Sequence, residues 1–131
     1  MITIKTLPSE SEILDACRAV SRRDDVKLAP GYIISNTPST PTTVCATGAA
    51  ILMIEYGGDL QKFSSEFGNG KHTEFLGGYS LGIGFDAACA GGEDPSRIDI
   101  AGSDDEQIMY QLNVRAMGYR IGKQLHKEGV I

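Results

Sequence analysis

Tryptophan is missing from this 131-residue chain, and aromatic residues make up only 7% of it. A core of large aromatic plates is therefore excluded, and burial must rest on Ile, Leu, Val, Met and Ala. Histidine occurs only at His72 and His126, too few for a zinc site with any spacing that the other residues offer. The three cysteines, Cys17, Cys45 and Cys89, are odd in number and include no CxxC pair. They fit neither a disulfide framework nor a zinc ribbon, and they point to a reducing, cytoplasmic location. Basic residues are outnumbered, with Lys+Arg 12 against Asp+Glu 17 and a net charge of −5. Nonspecific nucleic-acid binding and attachment to anionic membranes both need a basic patch, so neither is expected. No apolar run reaches the roughly 20 residues of a membrane span. The opening MITIKTLPSE has no basic region followed by an apolar block, so no signal peptide is read there. Internal repeats and low-complexity segments are absent. The acidic residues between 93 and 105 lack the spacing of an EF-hand. No cofactor is implied.

What is present is ordinary for a soluble globular protein: 41% hydrophobic and 22% charged residues. The length suits one domain over residues 1–131. Residues 40–56, TPTTVCATGAAILMIEY, form the longest stretch of small and apolar side chains, closed by Gly57 and Gly58. The reading is a buried central helix, capped by Thr40 with Pro41 in the first turn, or capped by Thr42 or Thr43. Small residues from Ala46 to Ala50 would let neighbouring elements approach closely. Within this stretch VCATGAA resembles a Cys-Ala-x-Gly-Ala segment of small uncharacterised phage and actinobacterial proteins. The likeness is confined to those residues, and it implies no activity.

Other elements follow from their punctuation. Ile2 and Ile4 alternate with polar residues as in a short edge strand that Pro8 stops. Ser9 and Glu12 make a capping box for a helix with Ile13, Cys17 and Val20 on one face. A strand is expected at residues 32–35. Asp59 caps a helix with Leu60, Phe63 and Phe67 as its buried stripe. Tyr79, Leu81, Ile83 and Phe85 alternate with Ser80, Gly82 and Gly84, which reads as a strand with a bare glycine face; a glycine-tolerant helix is the competing reading. Gly82-x-Gly84-x-x-Ala87 matches the wording of a dinucleotide fingerprint, but Gly91 and Gly92 leave no room for the long helix that such a site requires. The last helix starts at a second capping box, Ser103 with Glu106, and ends at Gly129.

The fold class expected is thus mainly α, an α+β arrangement with one to three short strands around the buried central helix, which packs against the first helix and the last. Three functional classes compete. The first is a non-enzymatic binding, regulatory or assembly module acting on protein partners or on itself, with the small-residue pair Gly118 and Gly122 as interface. The second is a Cys-dependent hydrolase or transferase with Cys45 as nucleophile, His72 as base, and Glu74 or Asp86 orienting the imidazole. The third is a small-ligand binder using the glycine-rich residues 77–84, Gly82 and Gly84 in particular. A buried small hydrophobe is the bland reading of Cys45, and an exposed turn residue that of His72. Scarcity of catalytic residue types favours the first class over an enzyme.

Overall fold

The computed structural model describes residues 1–37, 40–95 and 104–131. It is mainly helical with α+β character, in the order β1 (Thr3–Lys5), α1 (Glu10–Ser21), β2 (Val26–Leu28), β3 (Ile34–Ser35), β4 (Thr42–Val44), α2 (Ala46–Ala50), a π-helical turn (Ile51–Glu55), α3 (Leu60–Gly68), β5 (Thr73–Phe75), α4 (Gly78–Cys89) and α5 (Asp105–Lys127). The described strands number five, each of two or three residues, where one to three were expected. β1 runs parallel to β5 with Thr3 opposite Thr73. β4 lies between β2, parallel, and β3, antiparallel. No helix among the described residues is long and apolar enough to cross a membrane.

Local chemistry fixes most of these boundaries. The Ser9 hydroxyl accepts from the Glu12 N–H while the Glu12 carboxylate accepts from the Ser9 N–H, a reciprocal box that starts α1. Asp59 caps α3 through the Lys62 N–H, and Asp104 caps α5 through the Gln107 N–H. The expected cap at Ser103 lies outside the described residues. Gly129, at φ 76°, follows α5 in the left-handed conformation that closes a helix.

Two expectations are corrected. The central helix does not begin at Thr40: Thr42–Val44 is the middle strand β4, and Cys45 caps the helix that starts at Ala46. Thr42, Thr43 and Val44 are all β-branched, a side-chain type that fits the pleated surface better than a helical turn. Residues 79–85 are not a strand but lie in the first two turns of α4. Their glycines do serve close approach, as the bare face implied, but on two sides of a helix.

The core is one cluster that every helix enters. Ile13, Cys17 and Val20 of α1, Ala49 and Ala50 of α2, Phe63 of α3, Leu81 and Phe85 of α4, and Val114, Ile121 and Leu125 of α5 are buried together. α2 packs on α1 and α4, while α5 makes its most extensive contact with α4. At that contact a Cβ on Gly84 would overlap the Arg115 carbonyl oxygen, and one on Gly118 would overlap the Leu81 carbonyl oxygen. Each helix thus offers a bare backbone to the other.

Candidate functional site

Cys45 sits where the sequence placed a helix start, but its surroundings oppose a nucleophile. It is 1% exposed, and its N–H donates to the Tyr32 carbonyl at 3.2 Å. Burial pushes its thiol above the ordinary range. The N–H groups of Gly48 and Thr47 pull the other way, the Asp86 carboxylate adds to the upward push, and the net shift is upward. A helix N-terminus favours a thiolate, but here the loss of hydration outweighs it. The loop over this helix end is held by the Asp86 carboxylate, which accepts from the Gly31 N–H at 3.0 Å, and Gly48 leaves space for the Ile33 carbonyl. Burial, followed by the charge of Asp86 and the neighbouring Cys45, pushes Cys89 up to about 11. Cys17 is pushed up as well, by burial first and then by Cys45 and Cys89.

His72 lies elsewhere and is buried, only 5% exposed. Its Nε2 is 2.9 Å from the Glu74 carboxylate, and its ring leans on Phe67 with centroids 4.3 Å apart. Phe67 continues through Phe63 to Tyr56, a run of rings between α3 and the end of the π-helical turn. The Nδ1 atom has no hydrogen-bond partner among the described residues. The acid residues considered as orienters are therefore divided: Glu74 holds His72, whereas Asp86 stands near Cys45. No hydrogen bond or ring contact among the described residues joins Cys45 to His72. The exposed turn expected for His72 is not what surrounds it. The strand pairing that carries the His72 carbonyl to the Thr3 N–H draws the ring inward against Phe67.

The candidate glycines are buried in contacts within the chain. A Cβ on Gly82 would lie 3.8 Å from Thr47 Oγ1 and 3.9 Å from Cys45 Sγ, so this glycine faces α2. Gly84, on another side of α4, faces α5. Gly118 and Gly122 face α4, Gly122 against the Phe85 carbonyl and the Ala88 methyl. His126 is exposed in the last turn of α5. None of the candidate glycines lines the surface clefts of about 420 Å³ beside Asn36, Gln61 and Ser64 and of about 520 Å³ beside Leu14, Tyr119 and Lys123. Among the described residues no group of three or more His, Cys, Asp or Glu side chains is arranged to hold a metal ion.

One feature escaped the sequence reading. Tyr79 is 79% exposed, Leu76 58%, Ile4 63% and Tyr110 38%. Three of them are brought together by hydrogen bonds, and Tyr79 follows in the first turn of α4: the Leu76 N–H donates to the carbonyl of Lys5, next to Ile4, and the Tyr110 hydroxyl donates to the Leu76 carbonyl at 2.9 Å. The Tyr110 ring lies over Gly77, which starts α4 at φ 81° and leaves no room for a Cβ beneath that ring. The strand reading assigned Tyr79 to the same face as Leu81, and this hid the patch. With the phase of a helix, Leu81, Phe85 and Ala88 turn inward and Tyr79 turns out. The chain matches no family model, no curated protein and no solved structure.

Proposed function

We propose that this protein is a non-enzymatic binding or assembly module that acts through contacts with other protein surfaces. The observation that carries this reading is the exposed apolar patch of Ile4, Leu76, Tyr79 and Tyr110. Large apolar side chains scattered singly need no explanation, but a contiguous group of them marks an interaction surface. Tyrosine is enriched at such surfaces because a rigid ring supplies contact area at small entropic cost. Removing Leu76 or Tyr79 from water would contribute about 1.5–3 kcal/mol each. The hydrolase or transferase alternative draws no support from Cys45 and His72, both buried and apart. Three unpaired thiols and the acidic charge fit a reducing, cytoplasmic setting, and the acidic charge does not suit a nucleic-acid partner.

Photo-crosslinking tests the reading. A benzophenone amino acid is placed at Tyr79, or at Gln61 on another face as control, and the protein is irradiated in cells that express it. Protein adducts at position 79 that disappear with Leu76→Asp are the expected result. Adducts at position 79 no more abundant than those at position 61 would sink the proposal.

A further inference from the structure

The outward side of α5 carries a pattern that its packing does not use. At about 100° per residue, Asp105, Met109, Leu112, Ala116, Lys123 and Lys127 fall within a sector of about 60°. The buried residues Val114, Gly118, Ile121 and Leu125 lie on the opposite side of the helix. The solvent face of such a helix is ordinarily polar along its length. This one is charged only at its ends and with opposite signs. Its middle is apolar, with Met109 53% exposed and Leu112 and Ala116 partly exposed. Asp105, Lys123 and Lys127 have no ion-pair partner among the described residues, whereas Arg18, Arg23 and Arg120 are all paired. The acidic end also holds Asp104 and Glu106, and the basic end borders the cleft of about 520 Å³ between α1 and α5.

We propose that α5 pairs in antiparallel fashion with α5 of a second copy of this chain, about a two-fold axis at Ala116. The inference rests on the protein-contact reading above and adds a surface and a partner to it. In this register Asp105 lies opposite Lys127 of the second copy and Met109 opposite Lys123. Ala116 meets its own counterpart. The two-fold axis repeats each pair on its other side, the Asp105–Lys127 pairs about 33 Å apart along the helix and the Met109–Lys123 pairs about 21 Å apart. Parallel pairing would set Asp105 beside Asp105 and Lys127 beside Lys127, so the charges select the antiparallel arrangement. Opposed helix dipoles favour it too. The small side chain at the crossing point lets the two helices approach, and Met109 and Leu112 leave water on both sides of it.

Sedimentation equilibrium of the full chain tests the pairing. A monomer–dimer equilibrium that weakens as salt rises is expected. Asp105→Lys and Lys127→Glu should each raise the dissociation constant about ten-fold, and the two together in one chain should restore it. Ala116→Glu should give a monomer with an unchanged circular-dichroism spectrum. A chain that stays monomeric at every concentration overturns the pairing. A dimer indifferent to both charge reversals overturns it as well. Neither result touches the crosslinks at Tyr79, which are read on a separate face and decide the protein-contact reading by themselves.

Discussion

At the scale of single residues, the competition between a helix N-terminus and burial decides the cysteine chemistry. Cys45 has backbone N–H groups aimed at its sulfur and still holds its proton more tightly than a free thiol, because desolvation is the larger effect. Reactivity should follow exposure. Cys89, half-buried, should be alkylated first, and Cys17 and Cys45 only as the chain unfolds. Alkylation under native conditions, resolved by mass spectrometry, checks this order. Cys45 reacting as fast as a free thiol would contradict it. The alkaline stability limb has a definite sign. A folded pKa raised from 9.0 to about 11 at Cys89 gives a contribution fully present below 9.0 and lost as pH rises toward about 11. The unfolding temperature should fall across that window, and Cys89→Ala should flatten the fall. Caps such as Ser9 and Asp59 were legible in the sequence because their partners lie three residues away. The burial of His72 was not, since it depends on Phe67 and on a strand from the other side of the chain.

Between elements, the α4–α5 contact depends on glycine at the two points where backbone meets backbone. In an isolated helix Gly→Ala would gain about 1 kcal/mol. At Gly84 and Gly118 the new methyl meets a carbonyl oxygen of the other helix, and neither backbone can withdraw without disturbing its own ladder. Gly84→Ala and Gly118→Ala should each lower the unfolding free energy by about 2–4 kcal/mol, and together by less than the sum because they disturb one contact. Gly68 is the control: nothing lies within 4 Å of its added Cβ, and Gly68→Ala should be neutral or stabilise by up to about 1 kcal/mol. Urea unfolding measures all four variants, and tolerance of Ala at Gly84 would refute the close approach. The sequence announced that a bare face existed in residues 79–85 but not its geometry. Glycine at positions 82 and 84 imposes a period of two, whereas the helical row of Leu81, Phe85 and Ala88 shows only once the ends of α4 are known. The start of α2 was misplaced for a related reason. Pro41 is a good first helical residue, but the pairing of Thr42–Val44 with two other strands outweighs that local preference.

For the molecule as a whole, both ends of α1 are tied to the C-terminal part of α5 by surface ion pairs. Arg18 grips Glu128 through two hydrogen bonds, at 2.9 and 2.6 Å, and Arg120 holds Glu10 at 2.7 Å. The Arg18 guanidinium, helped by the Gln124 amide, lowers Glu128 from 4.5 to about 2. A depressed carboxylate stabilises the fold above its unfolded pKa, and that stabilisation is lost as pH falls from 4.5 through about 2. The unfolding temperature should therefore drop over this range. Glu128→Gln should start lower at neutral pH and show a shallower acid limb. Equal acid limbs in the two proteins would show that the pair contributes nothing. The mainly helical character was legible in the sequence, because caps and periodic apolar faces are local. Which helices would be tied together was not, because each tie joins residues 110 apart.

The parallel pairing of Thr3 with Thr73 also orders events in time. During synthesis β1 and α1 are made long before β5 and the C-terminal part of α5, to which they are tied. β1 waits for β5, and α1 waits for Arg120 and Glu128 at the far end of α5. The earliest stable unit should therefore form from α4 and α5, whose contact is local and tight, with the N-terminal elements docking afterwards. Until α2 follows, Ile13, Cys17 and Val20 on the buried face of α1 are uncovered, and this interval is when the nascent protein depends most on chaperones to remain unaggregated.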